Sequence, residues 1–439
     1  MKRYVWLLGV LAAVVALAPL APAFAQSNQI FVPLLVYRTG PFAPSGIPNA
    51  NGFQDYFNLL NERDGGINGV KIVVEECETQ YDTKQGVECY ERLKGKGMVV
   101  VNPYSTGITY QLIPKAPVDK VVVHSMGYGM TASADGRYFP WVFNFPMTYW
   151  SQASAFIKYV ASAEGGLDKL KGKKIAHIYH NSPYGKEANP TLEDLARKHQ
   201  FELTLLAVDT PGQEQKATWL QVRRLNPDWI YLSGWGVMNG VAVKEAASIG
   251  YKMDRLVGNW WSGSESDVIP AGDGAKGYKS MTFHAAGANF KVHDDLAKHV
   301  YGKGKGAHKK EALGEVYHNR GMINAMLNSE AIRTAMVKYN LKTAPTAEQV
   351  RWGFENLNLT DAQLDKLGMK GLIRPIKVTC ENHEGNGMAT VQQWDGKQWK
   401  VISDWMEPMR DVVRPKLELA AVEEAKKLNY TMRDCSKEK

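Results

Sequence analysis

Hydroxyl side chains follow one of the predicted strands at a point where they could bind a small anion. Ser105 and Thr106 come shortly after the apolar strand "MVVV" (98–101) and stand at the start of a predicted helix. The free N–H groups and the dipole of a helix N-terminus favour a carboxylate, so both hydroxyls are candidate binding groups. The alternative is ordinary N-capping of the helix, which uses the same residue types.

Aromatic side chains follow other predicted strands at comparable positions: Tyr128, Tyr184, Trp235 and Trp260. In open α/β sheets, ligands bind beyond the carboxyl ends of the parallel strands. We therefore expect these rings to line one apolar slot suited to an aromatic ring. Trp261 adjoins Trp260, and successive strand residues point to opposite faces. We assign Trp260 to the slot and Trp261 to core packing.

No catalytic or cofactor-binding motif accompanies these residues. The sequence contains no GxSxG, HExxH or P-loop, and its histidines and cysteines do not have metal-binding spacing. The segment "GKGKG" (302–306) lacks the strand–turn–helix context of a nucleotide-binding loop. We therefore expect a binding protein without cofactor or metal, and an enzyme is only a remote alternative.

Predicted strands and helices alternate along most of the chain. The predicted strands are 30–37, 70–77, 98–101 and 120–125 in a first run, and 173–180, 201–208, 228–235 and 255–260 in a second. The later predicted elements are helices at 313–338 and 346–355, a hairpin at 389–405 and a helix at 414–428. This order predicts an α/β fold with two doubly wound, Rossmann-like lobes.

The N-terminus has the features of a secretory signal peptide. Lys2 and Arg3 precede an apolar run, and Ala23-Phe24-Ala25 forms a small-residue cleavage pattern. The apolar run is too short for a typical membrane anchor, so a cleaved signal peptide is the favoured interpretation. We expect residues 1–25 to be removed before Gln26 and the mature protein to be exported. The formal net charge of +8 comes without an arginine-rich, aromatic-interleaved patch, so nucleic acid is not an expected partner.

Four cysteines in an exported chain indicate disulfides, and three pairings are possible. Cys77 lies in a predicted strand, and Cys89 lies on the helix that follows and packs back on that strand. We therefore expect the pair Cys77–Cys89. Cys380 would then pair with Cys435 and tie down the C-terminal tail.

Several segments, taken together and in this order, resemble the type I periplasmic solute-binding proteins of the branched-chain amino acid group, which serve ABC importers. The segments are "TGPFAPSG" (39–46), "NGFQDYFNLLNERDGGINGVKI" (51–72), "YDTKQGVECYERL" (81–93), "YSTGITY" (104–110), "SPYG" (182–185), "NPDWIYLSGWG" (226–236) and "AASIGY" (246–251). The resemblance covers essentially the whole mature chain.

This resemblance implies a hinged, two-lobed periplasmic protein that closes on its ligand. The implied N-terminal lobe comprises residues 26–146 and 280–378, and the C-terminal lobe comprises 147–279 and 379–439. The implied partners are a small-molecule carboxylate and the membrane permease subunits of an importer, and a monomer is expected. A ligand-sensing module of the same fold is a remote alternative.

The resemblance also implies how the ligand carboxylate is held. Hydroxyls of the loop after the third strand and backbone of the next loop bind it in this family, and these places match Ser105, Thr106 and the segment "MGYG" (126–129), with Gly127, Tyr128 and Gly129. The expected site therefore combines two hydroxyls with backbone groups.

One family position departs from the pattern of amino-acid binders. In those proteins an aromatic residue, matching Trp235, and an acid hold the ligand's α-ammonium group. The position of the acid falls on Trp260, and Glu265 lies five residues further on. Because a buried ammonium needs an anionic partner, we expect a carboxylate without an amino group, of hydroxybenzoate or cinnamate type. The alternatives are a branched-chain amino acid and an amide such as urea.

Two further residues are candidates for polar contacts. Arg38 stands at the end of the first strand and could form a charge-assisted hydrogen bond to the ligand. His284 could contact a ring hydroxyl, or it could be structural.

Overall fold

The computed structural model describes residues 29–438, which form parallel sheets with helices packed on them. The predicted signal peptide and the cut before Gln26 lie outside the described residues. The α/β class expected from the alternating pattern is confirmed. Within the described range, no helix is long and apolar enough to cross a membrane.

The first lobe is built on five parallel strands in the order β2-β1-β3-β4-β5. Its strands are β1 Gln29–Val36, β2 Lys71–Glu78, β3 Val100–Val101, β4 Val122–His124 and β5 Val142–Phe143. Its first helices are α1 Ala43–Arg63, α2 Thr83–Lys94, α3 Thr106–Leu112 and α4 Ala116–Asp119. A bridge between Leu34 and Asn102 joins β1 to the β3 side, and β3, β4 and β5 pair in parallel.

The second lobe contains a seven-stranded sheet. Its parallel strands are β6 Lys174–His180, β7 Glu202–Val208, β8 Trp229–Ser233, β9 Leu256–Gly258 and β10 Lys279–Thr282. Its helices are α5 Tyr149–Glu164, α6 Pro183–Lys186, α7 Asn189–His199, α8 Lys216–Leu225, α9 Val237–Ser248 and α10 Glu265–Val268. Since β10 pairs with β9, this sheet extends to Thr282, three residues beyond the boundary expected from the sequence.

The chain then returns to the first lobe and crosses back once more. The returning elements are α11 Lys291–His299, α12 Val316–Lys338, α13 Ala347–Glu355, β11 Asn358–Leu359, α14 Asp361–Lys366 and β12 Ile376–Lys377. The predicted hairpin follows as β13 Thr390–Trp394 and β14 Trp399–Val401, and β13 pairs antiparallel with β10 at the edge of the second sheet. From β1 to β14 the chain therefore crosses between the lobes three times.

The last helix, α15 Arg410–Lys427, contacts both lobes rather than the second lobe alone. Its Lys416 Nζ donates to the carbonyl of Pro190 at 2.6 Å on the second lobe. Ala421 and Ala425 pack with Ile113, which belongs to the first lobe. The apolar face of this helix therefore packs on both lobes, and the assignment of residues 379–439 to one lobe stays a prediction.

Two disulfides join Cys77 to Cys89 and Cys380 to Cys435, each with a Cα–Cα distance of 5.8 Å. The first connects β2 to α2. The second connects the tail to the segment before β13, so the tail is covalently attached where it passes the first lobe.

Helices α1 and α12 touch through their backbones at two glycines. A Cβ atom at Gly52 would collide with the carbonyl of His318, and a Cβ at Gly321 would collide with the carbonyl of Asn49. Only residues without a side chain permit this approach. The position of α1 therefore depends on glycine at both contacts.

We predict that Gly321→Ala lowers the free energy of unfolding by about 1–3 kcal/mol, because the added methyl group forces the two helices apart. Urea denaturation of the purified protein measures this change. Gly95→Ala is the matched control, since a Cβ at that position meets nothing within 4 Å. An unchanged unfolding midpoint for Gly321→Ala would contradict the backbone contact.

Candidate functional site

A small cavity lies between the lobes, where the carboxyl ends of strands from both sheets meet. It is lined by two tryptophans, six tyrosines and three small polar residues: Trp235, Trp261, Tyr37, Tyr81, Tyr104, Tyr128, Tyr149, Tyr184, Asn49, Ser105 and Thr106. Five of the ligand-binding residues expected from the sequence are in this set, namely Ser105, Thr106, Tyr128, Tyr184 and Trp235.

The cavity wall carries no charged side chain. Its tyrosines remain neutral at physiological pH, because burial raises the pKa of hydroxyls such as those of Tyr37, Tyr104 and Tyr184. The wall therefore offers aromatic faces, hydroxyl groups and amide groups, but no carboxylate for a ligand ammonium group.

Two residues of the wall hold buried polar atoms without a hydrogen-bond partner. Both side-chain polar atoms of Asn49, Nδ2 and Oδ1, are unpaired, and so is Trp235 Nε1. An unpaired buried donor costs about 1–3 kcal/mol, so such groups are normally satisfied by protein, water or ligand. Asn49 and Trp235 are therefore groups that a bound ligand could satisfy.

Ser105 and Thr106 combine capping with a position on the cavity wall. Ser105 Oγ accepts from the N–H of Ile108 at 3.3 Å and caps α3. Thr106 Oγ1 accepts from the N–H of Gly129 at 3.2 Å. A hydroxyl that accepts still has its own proton to donate, so the capping and ligand-binding interpretations are compatible.

The aromatic walls are held in place by hydrogen bonds to backbone. Tyr128 Oη accepts from the N–H of Tyr104 at 2.8 Å, and Tyr184 Oη donates to the carbonyl of Gly234 at 2.8 Å. Their polar ends are therefore engaged within the protein, while both residues contribute to the cavity lining.

Trp261, rather than Trp260, lines the cavity, so the roles expected from the sequence are exchanged. Trp260 is fully buried and stacks on Tyr149 with ring centroids 5.9 Å apart. The strand ends at Gly258, and a turn follows in which the Ser262 N–H donates to the Asn259 carbonyl at 3.0 Å. The alternation of strand side chains therefore does not extend to the two tryptophans.

The glycines of the "MGYG" segment are not part of the cavity lining, and Gly127 forms hydrogen bonds across the lobes. The carbonyl of Gly127 accepts from Trp260 Nε1 at 2.9 Å and from Trp261 Nε1 at 3.3 Å. Gly129 uses its N–H for Thr106. These polar groups of Gly127 and Gly129 are therefore engaged within the protein, and the ligand contacts expected of both glycines stay a prediction.

Arg38 and His284 also lie outside the cavity lining. The Arg38 guanidinium binds Glu76, with Nε to Oε2 at 2.8 Å, and Asn51 Oδ1 at 2.8 Å. His284 is buried with Nδ1 2.8 Å from the Ala285 carbonyl. Both residues were expected to bind the ligand, but Arg38 is held in an ion pair with Glu76 and His284 contacts backbone.

Glu265 does not replace the missing acid of the cavity wall. Its carboxylate accepts from the N–H of Val316 at 2.9 Å and from Ser264 Oγ at 3.0 Å, at the start of α12. Burial raises its pKa from 4.5 to about 7. Glu265 therefore binds the N-terminus of α12 and is not among the residues that line the cavity.

The sequence reasoning missed Asn49 and four tyrosines of the wall: Tyr37, Tyr81, Tyr104 and Tyr149. Tyr37 and Tyr104 follow strands β1 and β3, so the strand-end rule could have found them. Asn49 lies inside α1, which begins at Ala43. No local signal distinguishes it from other helical residues.

The two lobes are in contact across the cleft. The Val237 N–H donates to the Pro41 carbonyl at 2.9 Å, and the Gly236 N–H donates to Ser45 Oγ at 3.2 Å. Thr131 N–H donates to Glu187 at 2.6 Å. These bonds join residues of the first lobe to residues of the second, so the structure is a closed form.

We predict that Glu265→Gln becomes more stable relative to the natural protein as the pH rises. A buried carboxyl with a raised pKa contributes fully to stability below pH 4.5 and loses that contribution as the pH rises towards 7. Between pH 5 and pH 7 the difference should change by about 2 kcal/mol. Denaturation curves at several pH values measure it.

The exposed Glu193→Gln change is the control for the loss of one negative charge. Its pH dependence should follow that of the natural protein. Parallel pH profiles for Glu265→Gln and the natural protein would show that the buried carboxyl has no such role.

A family model described as periplasmic binding protein matches residues 29–398 of the chain. A curated relative from Rhizobium johnstonii, named Leu/Ile/Val-binding protein BraC3, is 26% identical to this chain over 58% of its length. The chain spans about two thirds of the length of that relative, 66%.

Solved structures share the fold over most of the chain. A protein from the Pseudomonas fluorescens group, described as an ABC transporter permease, is 43% identical with a TM-score of 0.86, over 93% of this chain and 99% of that one. A Thermus thermophilus branched-chain amino acid ABC transporter protein with bound valine is 20% identical with a TM-score of 0.72, over 88% and 99%. A Rhodopseudomonas palustris (R. palustris) solute-binding protein in complex with benzoate is 14% identical with a TM-score of 0.67, over 87% and 97%.

The family resemblance seen in the sequence is confirmed by these matches, and the fold is the one it implied. The chain therefore belongs to the periplasmic binding protein family, whose members are solute-binding proteins of transporters and not enzymes.

Proposed function

We propose that this protein captures a small aromatic carboxylate, of hydroxybenzoate or cinnamate type, between its lobes and delivers it to the membrane subunits of an ABC importer. The observation that carries the proposal is the composition of the cavity wall. Eight aromatic residues and three small polar residues surround the space, and no charged side chain is among them.

The polar groups of the wall suit a carboxylate. Asn49 and Trp235 hold unpaired N–H groups, and the hydroxyls of Ser105 and Thr106 lie on the same cavity. Carboxylate oxygens accept several hydrogen bonds at once, and bonds to a charged acceptor are stronger than bonds between neutral groups. Several donors without a competing acid favour an anion.

The same wall does not suit an ammonium group. Burying a charge without a partner of opposite sign is strongly unfavourable. Tyrosine hydroxyls and the Asn49 carbonyl offer only partial negative charge. A ligand with a carboxylate and no α-amino group therefore satisfies the wall better than an amino acid does.

The aromatic faces of the cavity wall suit a planar ring. Trp235 and Trp261 meet edge to face with centroids 5.4 Å apart, and aromatic ligands pack well on such surfaces. Benzoate bound to the R. palustris neighbour is consistent with this choice of ligand.

A branched-chain amino acid is the second candidate. Curated relatives are named Leu/Ile/Val-binding proteins, and the Thermus thermophilus neighbour holds valine. A neutral amide such as urea would also match the donor and the acceptor of Asn49. The family is periplasmic, and we propose that residues 1–25 direct export and that the mature protein acts as a monomer.

Isothermal titration calorimetry of the purified mature protein with separate ligands tests the proposal. Benzoate, 4-hydroxybenzoate and cinnamate should bind, and ligand binding should raise the melting temperature by mass action. Leucine, valine and urea should bind at least tenfold more weakly. Tight binding of leucine or valine with no binding of the aromatic acids would contradict the proposed ligand class and support the second candidate.

A further inference from the structure

Arg320 on helix α12 is fully buried and has no ion-pairing carboxylate among residues 29–438. Its Nη2 lies 3.0 Å from His284 Nε2, but Nε and Nη1 have no hydrogen-bond partner. Burial lowers its pKa to about 10, so the guanidinium is still charged at neutral pH. A buried cation with unpaired donors is energetically costly, and such groups are normally satisfied by a partner.

His284 does not neutralise the charge of Arg320, and Asp267 offsets it only from beyond ion-pair distance. Burial lowers the pKa of His284 to about 3, so this imidazole is neutral and accepts a hydrogen bond. The Asp267 carboxylate is bound to other donors, Tyr317 Oη and the Ser264 N–H, both at 2.8 Å.

Aromatic faces provide the rest of the surroundings. The guanidinium carbon lies 5.0 Å from the ring centroid of Trp261 and 4.8 Å from that of Phe283. Cation–π contacts offset part of the desolvation cost, but they leave the net positive charge in place. Since Trp261 also lines the cavity, one indole ring contacts both the cavity and the buried cation.

We infer that Arg320 determines specificity: its charge behind Trp261 favours an anionic ligand over a neutral or cationic ligand of the same shape. The inference rests on the proposed function, because it concerns the ligand of the same cavity. The attraction between the Arg320 guanidinium and a ligand carboxylate on the other side of the Trp261 ring, at an effective dielectric constant of about 20, lowers the Kd of the ligand by about tenfold.

The test compares benzoate with benzamide, which has a similar shape and no charge, by calorimetry. Arg320→Met removes the charge and keeps the length of the side chain. It should weaken benzoate binding about tenfold and leave benzamide binding within about twofold. Arg320→Lys retains a charge and should retain the preference for benzoate.

Arg333→Met is the matched control, because Arg333 lies on the same helix but pairs with Glu330 and is partly exposed. It changes the net charge equally and should leave both affinities unchanged. If Arg320→Met leaves the ratio of the benzoate and benzamide affinities unchanged, Arg320 is only structural.

The natural protein gives an independent measurement if Arg320→Met does not fold. Benzoate should bind more tightly than benzamide, and benzylamine, which is a cation at neutral pH, should bind most weakly. Benzylamine binding as tightly as benzoate would overturn the inference. If none of the three binds, the proposed ligand class itself fails, and the inference fails with it.

Discussion

A charge that leaves water needs a partner of opposite sign, and this constraint decides which molecules the closed cleft can hold. The residues that line the cavity provide no negative charge. The nearby acids Glu265 and Asp267 are bound to backbone and hydroxyl donors, while the positive charge of Arg320 lies behind the wall. The lining therefore offers no counter-charge for an ammonium group, and we propose that the charge of Arg320 favours an anion.

Trp261 links ligand contact, lobe closure and this distribution of charge. Its ring lines the cavity and covers Arg320, and its Nε1 donates to the carbonyl of Gly127 on the opposite lobe. Trp260 donates to the same carbonyl. Opening the cleft must break these bonds across the lobes, so we expect the position of this indole to change when the ligand enters or leaves.

The sequence predicted the fold more completely than the site. Alternating strands and helices are local patterns, and the hairpin predicted at 389–405 is present as β13 and β14. Ser105, Thr106, Tyr128, Tyr184 and Trp235 follow from the rule for strand ends. Asn49 and Arg320 were missed because they lie on helices, where only tertiary packing decides what they contact. Trp260 is not among the lining residues, because the strand ends at Gly258, two residues before it, and side-chain alternation stops there.

The central claim is that the cleft selects a carboxylate without an ammonium group. The most direct measurement is a pair of calorimetric titrations with 3-phenylpropionate and phenylalanine, which differ only in the α-ammonium group. The uncharged wall predicts that phenylalanine binds at least about tenfold more weakly, because its ammonium would be buried without an anionic partner. Phenylalanine binding as tightly as 3-phenylpropionate, or more tightly, would contradict this account.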